Sequence, residues 1–359
     1  MTSEADARTA LAEFALPAAA ATLSPLGGGH INRSWRVSME GSGDEYTLQR
    51  LNPQVFRAAS AVMQNVRAVT HRLGERSRSS GLQALRLVPL RDGRWWHEAP
   101  DGALWRLYEF IDGVMVQETP QSPRMAEGAA RAFGEFVRLT SDPPLALVDT
   151  MPGFHDTRLR LRQLEAALDA DIAGRRALVA DDCRRILAKR ALAALIPEAL
   201  ERGVIARRNA HHDAKLANLL LSAASGEPVC VIDLDTVMPG TPLHDFGDLV
   251  RSMASDAAED AGPEAPVEVR PDFFAAIVRG YLAGTDALLG AVERSLLLPA
   301  ARAIALEQAA RFYADYLNGD VYYRISDPGQ NLRRARTQTR LFDSLTRQAA
   351  TLQDIIARS

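Results

Sequence analysis

Two short polar motifs between residues 211 and 235 carry the side chains best suited to chemistry. The first places His211, Asp213 and Asn218 just ahead of a run of three leucines. The second is an apolar, β-prone run at 229–232 that ends on Asp233 and Asp235. The first motif also occurs by chance, and aspartates can simply end a strand. Together, in this order, the two motifs favour a function over those plainer explanations.

These groups match what phosphoryl transfer requires. Asp213 can orient an attacking hydroxyl and accept its proton, and Lys215 could offset charge on the phosphoryl group in transit. Asn218 offers a neutral oxygen and Asp233 a charged one to Mg²⁺, a hard ion that takes few protein oxygens. Kinases use a catalytic-loop Asp, an Asn and a later Asp in the same order. The motifs therefore predict a site for ATP and Mg²⁺.

Length and composition narrow the class of protein. The chain has 359 residues, enough for two lobes with a sizeable core, and its net charge of -3 gives no basic field for nucleic acid. It has no run of 18 apolar residues that would span a membrane, and its acidic, helix-like start does not resemble a signal peptide. The chain has two cysteines, Cys183 and Cys230, which argues against a disulfide framework. We therefore expect a cytoplasmic monomer or homodimer that acts on a small molecule.

The first part of the chain alternates β-prone and helical patterns. Strands are expected around the glycines at 27–29 and at 34–37, 46–51, 85–90, 94–97 and 104–111, and helices at 4–17 and 56–75. The glycine run suits either a close approach to a ligand or an ordinary hairpin. Arg50 is placed to reach phosphates from its strand, although a solvated strand-edge arginine fits the pattern equally well.

The pattern changes at Asp112-Gly113. Beyond it the chain is mostly helical, apart from a hairpin between Asp213 and Asp235. Ser122 and Pro123 suit a helix start, and further helices are expected at about 175–200, 271–289, 293–318 and 330–356. We therefore predict an α+β fold with an N-terminal lobe at 1–112 and a helical C-terminal lobe at 113–359. The segment that joins the lobes is the candidate adenine contact, and consists of Tyr108, Glu109, Phe110 and Ile111.

Longer strings extend the motifs over nearly the whole chain. They are GHINRSW at 29–35, YTLQRLNPQVF at 46–56, WRLYEFIDG at 105–113, GFHDT at 153–157, HHDAKLANLLL at 211–221, VIDLDTVMPG at 231–240, HDFGDLVR at 244–251 and RFYADYLNGDVYY at 311–323. With these strings the chain resembles the aminoglycoside phosphotransferase and choline kinase superfamily, a branch of the protein-kinase-like fold. Within that superfamily it is similar to bacterial N-acetylhexosamine 1-kinases. The resemblance implies a kinase that phosphorylates the anomeric hydroxyl of an acetamido sugar.

The resemblance also implies roles for residues in the two motifs. Asp213 matches the catalytic base, and Lys215 matches a lysine that lies near both sugar and phosphate. Asn218 and Asp233 match the Mg²⁺ ligands, with Asp235 assisting at the same metal site.

Other matching positions concern the acceptor and the support of the loop. His30, Arg311 and Tyr322 match positions that hold the acetamido sugar, a grouping that suits a neutral polar ligand in need of directional donors and acceptors. From the sequence pattern alone, Arg311 would be an exposed helix residue and Tyr322 a core tyrosine. His211 and Asp245 match groups that brace the catalytic loop rather than react.

The chain departs from the family pattern at two places. Arg50 and Gln64 stand where kinase-like folds usually pair a strand lysine with a helix glutamate, and Ala217 replaces a residue that is often polar. An amino-alcohol kinase for aminoglycosides or choline is one alternative, but a cationic acceptor calls for carboxylates that the acceptor positions lack. A nucleotide-binding pseudokinase is the other, and the intact Asp213 argues against it.

Overall fold

The computed structural model describes residues 4–17, 20–27, 31–76 and 81–359. Within these ranges, the N-terminal part contains five strands and two helices. They are α1 (Glu4–Leu11), β1 (Ala21–Leu26), β2 (Arg33–Met39), β3 (Glu45–Arg50), α2 (Ala59–Arg76), β4 (His97–Glu98) and β5 (Leu104–Glu109). The strands form one antiparallel sheet in the spatial order β1-β2-β3-β5-β4.

The two faces of this sheet have different neighbours. Successive side chains of a strand point to opposite faces, and the register places Gln49 opposite Arg106 and Arg50 opposite Trp105. Trp105 and Leu48 pack with α1 in a small core of their own, which defines the outer face. Gln49 and Arg106 therefore lie on the inner face, towards the rest of the protein.

Helix α2 connects the sheet to the C-terminal part. Its apolar stripe, which includes Met63 and Val66, belongs to the larger core that continues into the C-terminal helices. The buried Asn65 donates to the carbonyls of Val148 (2.8 Å) and Val237 (3.0 Å). Since both acceptors lie in the second half of the molecule, α2 fixes the sheet relative to that half.

Beyond Gly113 the described chain is mostly helical. Its elements are β6 (Val114–Met115), α3 (Pro123–Ser141), α4 (Thr157–Ala170), α5 (Arg176–Leu187), α6 (Arg190–Glu201), β7 (Arg208–Ala210), β8 (Leu219–Ser222), β9 (Pro228–Val231), β10 (Met238–Gly240), α7 (Pro242–Met253), α8 (Pro271–Thr285), α9 (Ala291–Ser295), α10 (Leu297–Leu317), α11 (Gln330–Arg347) and α12 (Ala349–Arg358). Short 3₁₀ turns occupy 216–218, 234–236 and 286–288.

The C-terminal core is built around helix α10 and around the close pair formed by α3 and α8. α10 is buried over most of its length and packs against α4, α7 and α11. α3 and α8 approach so closely that a Cβ at Gly280 or Gly284 would collide with the carbonyl oxygen of Glu127 or Arg131. No helix in the described ranges is long and apolar enough to cross a membrane.

Several predicted elements differ from the observed ones. The predicted start of α3 is confirmed, because Ser122 accepts from the N–H of Met125 and Pro123 occupies the first turn. The predicted strand at 85–90 is wrong: this segment makes only isolated bridges. The four helices predicted at about 175–200, 271–289, 293–318 and 330–356 are each broken or shortened in the structure. The apolar periodicity continues past the residue where each observed helix ends, so it could not show the break. At the end of α8, for example, Asp286 takes a positive φ of 51°.

Candidate active site

Short strands bring the two polar motifs side by side. The catalytic loop (211–218) follows β7, and the aspartate loop (233–236) lies between β9 and β10. β7 pairs with β10 and β8 pairs with β9, so strands hold both loops. His211 Nε2 donates to the carbonyl of Ile232 (2.9 Å), and the N–H of Ile232 donates to the carbonyl of Asn218 (3.0 Å). The two motifs therefore form one site.

Asp213 lies at the centre of the catalytic loop and is part-exposed. Its Oδ2 accepts from Lys215 Nζ (2.8 Å) and from Asn218 Nδ2 (2.7 Å). Burial alone would raise the pKa of Asp213, but the Lys215 ammonium and the Asn218 amide lower it to about 2. No described residue donates to its Oδ1. The side chain is therefore an ionised carboxylate with one oxygen left for a ligand.

Asp233 begins the aspartate loop in a left-handed conformation, with φ 58° and ψ 57°. Non-glycine residues adopt this conformation seldom, and it often marks a functional position. The Asp233 side chain is exposed, but the protein around it and the negative charges of Asp235 and Asp213 raise its pKa to about 7. Lys215 and Arg106 oppose this shift only in part, so a bound cation would stabilise the ionised carboxylate.

A divalent cation fits this arrangement. Asn218 uses its Nδ2 on Asp213, and no described residue donates to its amide oxygen. The backbone of Asn218 is held by Ile232, which precedes Asp233. Among the described residues, no three His, Cys, Asp or Glu side chains converge into a complete metal cage. Mg²⁺ is usually held by one or two carboxylates together with substrate phosphates, so this donor set suits it.

Asp235 was predicted to assist at the metal site, but its carboxylate binds two side chains of the N-terminal part instead. Its Oδ1 accepts from Arg106 Nη1, and its Oδ2 accepts from Arg106 Nη2 (3.1 Å) and Asn32 Nδ2 (2.6 Å). The side chains of Arg106 and Asp235 are only 2% and 1% exposed. Because both oxygens already have donors, Asp235 contacts the N-terminal sheet and not an open position in the site.

Asp245 on α7 braces the catalytic loop from below, as the resemblance implied. Its two oxygens accept from the backbone N–H groups of His211 and His212, each at 2.8 Å. Burial raises the pKa of Asp245 to about 7, although these two donors oppose that shift. His212 takes a positive φ of 64°, and its ring lies where a Cβ at position 240 would be, so Gly240 makes room for it. His212 therefore has a packing role.

A buried ion pair completes the support under the loop. His155 Nδ1 donates to Glu307 Oε1 (2.8 Å), and His155 Nε2 donates to the carbonyl of His212 (3.0 Å). A carbonyl and a carboxylate both require a donor, so both ring nitrogens carry protons and His155 is an imidazolium. Burial would lower the pKa of His155, but the Glu307 carboxylate raises it above its ordinary value. Burial by itself would raise the pKa of Glu307, but the positive charge of His155 lowers that pKa to about 2.

Two of the predicted acceptor residues come together. The Arg311 guanidinium lies 5.7 Å from the ring centroid of Tyr322 and 5.5 Å from that of Phe154, which precedes His155. Asp315 accepts from the N–H groups of residues 321–323, at 3.0, 2.8 and 3.0 Å, and so fixes the segment that carries Tyr322. His30, the third predicted acceptor residue, lies outside the described residues.

Arg50 and Gln64 do not form the expected substitute for a lysine–glutamate pair. Arg50 lies on the outer face of the sheet, where its Nη2 donates to Asp101 Oδ2 (2.7 Å). Gln64 is exposed on α2. Strand alternation explains the correction: Gln49, one residue earlier, faces inwards and accepts from Arg106 Nε (3.0 Å). This geometry gives Arg50 no place beside Asp213.

The predicted adenine contact lies at the end of β5. Tyr108 is buried, whereas Glu109 is exposed. The N–H groups of Glu109 and Phe110 are taken by the carbonyls of Arg86 (2.9 Å) and Glu45 (3.0 Å). Within the described residues, the N–H of Ile111 donates no hydrogen bond. The available backbone of this segment is therefore at and after Ile111.

Sequence reasoning missed the residues that support the loops. Arg106, His155 and Glu307 are buried charges, and each contacts a partner far away in the chain. A charged residue inside an otherwise apolar strand, such as Arg106 in 104–109, was the available signal. It could not have identified the partner.

Comparison with known proteins identifies the family of the chain. Residues 22–290 match the phosphotransferase enzyme family (APH). This match covers most of the chain, and the protein therefore belongs to that family. Its class is small-molecule phosphotransferase.

Solved structures of such proteins share the fold. An aminoglycoside phosphotransferase from Alicyclobacillus acidocaldarius superposes with a TM-score of 0.58 at 14% identity, over 96% of each chain. A spectinomycin phosphotransferase in complex with ADP and spectinomycin gives 0.57 at 11% identity, over 99% of the present chain and 98% of the other. A Plasmodium vivax ethanolamine kinase gives 0.56 at 12% identity, over 90% and 84%. At such identities the likeness shows the fold, which confirms the predicted two-lobed, kinase-like α+β architecture.

Proposed function

We propose that the protein is an ATP- and Mg²⁺-dependent kinase that phosphorylates a sugar hydroxyl, most specifically the anomeric hydroxyl of an N-acetylhexosamine. The observation that carries the proposal is the arrangement around Asp213. One oxygen of its ionised carboxylate receives no hydrogen bond from any described residue; the other lies beside an ammonium group, and the charge of Asp213 acts on Asp233. A protein that only bound a nucleotide would have no need of such a base.

In this proposal the residues of the two loops divide the work. Asp213 Oδ1 accepts a hydrogen bond from the attacking hydroxyl and takes its proton as the phosphoryl group is transferred. Lys215 is already oriented by Asp213 and lies ready to offset charge on the transferred group. Asn218 and Asp233 would hold Mg²⁺, which would neutralise negative charge on the phosphates when bound. Most of the catalysis is thus positioning and electrostatic stabilisation.

The ATP assignment rests on the family and on the segment after β5. The N–H of Ile111 is available to a purine edge, and the buried Tyr108 lies behind it on the inner face of the sheet. A fold neighbour, the spectinomycin phosphotransferase, was solved with ADP. We assign Tyr108–Ile111 to the nucleotide, and leave Arg50 out of that site because it faces the other way.

The acceptor assignment rests on the charges near Arg311. Neither Arg311 nor the neighbouring Arg160 forms an ion pair with a carboxylate within the described residues; Arg160 donates instead to the carbonyl of Phe154 (2.6 Å). Glu307 is neutralised by His155. A cationic aminoglycoside or choline would therefore meet positive charge here. A neutral sugar would find directional donors and aromatic faces, which supports the acetamido-sugar assignment carried over for Arg311 and Tyr322.

Acceptor-dependent release of ADP from Mg-ATP tests the proposal. The panel contains N-acetylglucosamine, N-acetylgalactosamine, glucose, galactose, choline and kanamycin, with Asp213→Asn as the blank. Phosphorus NMR of the product locates the new ester. We expect turnover of an acetamido sugar to its 1-phosphate.

Other outcomes would change the proposal in defined ways. Turnover of choline or kanamycin alone would keep the kinase and discard the sugar. Tight ATP binding without ADP release for any acceptor would favour the pseudokinase.

A further inference from the structure

We propose that Arg106 is the residue through which the N-terminal sheet positions the aspartate loop, and with it the metal ligand Asp233. The inference rests on the proposed function, because it concerns the Mg²⁺ site of that function. Arg106 stands on β5 at a position for which neither the sequence motifs nor the family resemblance gave a role.

The contact joins the two lobes at one point. Arg106 offers two nitrogens to the two oxygens of Asp235, the geometry in which a guanidinium holds a carboxylate in one orientation. Arg106 Nε donates to Gln49 Oε1 on β3, and Arg106 Nη1 lies 3.7 Å from Met63 Sδ on α2. The guanidinium is thus held by β3 and α2 and has little freedom to take another position.

The Asp235 carboxylate also accepts a hydrogen bond from Asn32, the residue before β2. Asn32 Nδ2 donates to Asp235 Oδ2, and Asn32 Oδ1 accepts from the N–H of Asn52 (3.1 Å). Asp235 is therefore held by two side chains of the N-terminal part while it belongs to a C-terminal loop. Asp233 lies two residues away in a left-handed conformation, so a displacement of Asp235 would move it.

Burial argues that this pair serves positioning more than stability. Both side chains are almost completely removed from water, and a buried ion pair often adds little net stability compared with apolar residues of similar size. Removal of a carboxylate that hydrogen-bonds to a metal ligand and orients it, in contrast, commonly lowers the metal affinity about 10- to 100-fold. The two parallel hydrogen bonds between Arg106 and Asp235 are therefore suited to holding the aspartate loop in one position.

A double-mutant cycle on nucleotide binding tests the proposal. ADP affinity is measured by calorimetry with Mg²⁺ and with EDTA for the wild type, Arg106→Gln, Asp235→Asn and the double variant. We expect each variant to lose about 10- to 100-fold of the affinity gain that Mg²⁺ gives, and the double variant to lose no more than either single one. Affinity in EDTA should stay within about threefold, because Arg106 does not contact the nucleotide in this proposal.

The controls separate positioning from other roles. The double variant leaves no unpaired buried charge, so its melting temperature shows whether the fold survives when a single variant does not. Arg50→Gln with Asp101→Asn breaks an arginine–aspartate pair on the outer face of the same sheet and should leave both ADP affinities unchanged.

Each remaining outcome overturns a defined statement. Loss of ADP affinity in EDTA for Arg106→Gln would mean direct contact with phosphate. Additive losses would mean that Asp235 binds the metal independently. A lower melting temperature with an unchanged Mg²⁺ effect would leave a purely structural pair. Absence of any Mg²⁺-dependent ADP binding in the wild type would overturn the proposed function together with this inference.

Discussion

The polar groups that face the site and the polar groups beneath it are arranged differently. Asp213 and Lys215 are 28% and 32% exposed, and within the described part of the chain one oxygen of Asp213 has no donor. Glu307 and Asp235 are 0% and 1% exposed, and every carboxylate oxygen of theirs has a donor. Reacting groups must keep capacity for a ligand, whereas supporting groups are useful only when the protein satisfies them completely.

This contrast separates two kinds of substitution. A change among the exposed groups removes a contact to the ligand but leaves the fold intact. A change among the buried groups leaves a charge without a partner, and therefore lowers the stability and shifts the loop that the group supports. The predictions below test whether the two sets behave in these two ways.

The largest effect on turnover is expected from Asp213→Asn. The amide cannot accept the proton, so kcat should fall about 1,000-fold, in the range typical of a lost general base. Stopped assays of ADP release measure the effect, and ADP binding and the melting temperature should be retained. Asp181→Asn, an exposed helix aspartate, is the matched control. Unchanged turnover in Asp213→Asn would remove Asp213 from catalysis.

The largest effect on stability is expected from Glu307→Gln. It leaves the His155 imidazolium without its counter-charge, and breaking a buried pair typically costs about 3–5 kcal/mol. Urea unfolding measures the loss, and kcat should fall as well because His155 holds the carbonyl of His212. Glu201→Gln, which breaks the pair between the exposed Glu201 and Arg158, should lower the free energy of unfolding far less, because solvent screens that pair. Equal losses for the two variants would contradict the contrast.

The pH dependence of stability should carry the signature of His155. The folded-state pKa of His155 is raised, so its contribution is fully present below the unfolded value of about 6.5 and is lost as pH rises through the folded pKa. The difference in unfolding free energy between the wild type and His155→Gln should therefore shrink as pH rises above about 6.5. Burial lowers the pKa of His212 and His244, so both are neutral in the folded and the unfolded protein well above pH 6.5 and add nothing to this slope. A difference that grows with pH would mean that His155 is not charged in the fold.

A smaller effect, confined to the acceptor, is expected from Arg311→Gln. Loss of one directional, charged donor should raise the KM for the sugar about tenfold, while the KM for ATP stays unchanged. Arg302→Gln is the control, because Arg302 is a half-buried arginine on the same helix that donates to Thr346 Oγ1 (3.2 Å) and not to a group in the site. A rise in the KM for ATP instead would place Arg311 at the nucleotide.

The smallest effect is expected from Arg50→Gln. Its partner Asp101 is 60% exposed, and ion pairs that reach solvent in this way contribute less than about 1 kcal/mol. Turnover should stay within about twofold of the wild type. A loss of ATP affinity in this variant would restore the phosphate contact that the sequence suggested.

The sequence was informative where function depends on neighbours in the chain. Asp213, Lys215 and Asn218 lie within six positions, so a single loop sets their geometry and their spacing alone indicated the chemistry. The α+β class and the change to helices after Gly113 also followed from local periodicity and turn residues. The lobe boundaries themselves stay a prediction.

Only the tertiary structure decided which charges support that loop. Arg106 meets Asp235 across 129 positions and His155 meets Glu307 across 152, and no local pattern encodes such pairs. The sheet register decided that Gln49, and not Arg50, faces inwards, since a shift of one residue exchanges the two faces. Short-range spacing fixes which groups can react, whereas burial and long-range pairing fix which groups hold them in place.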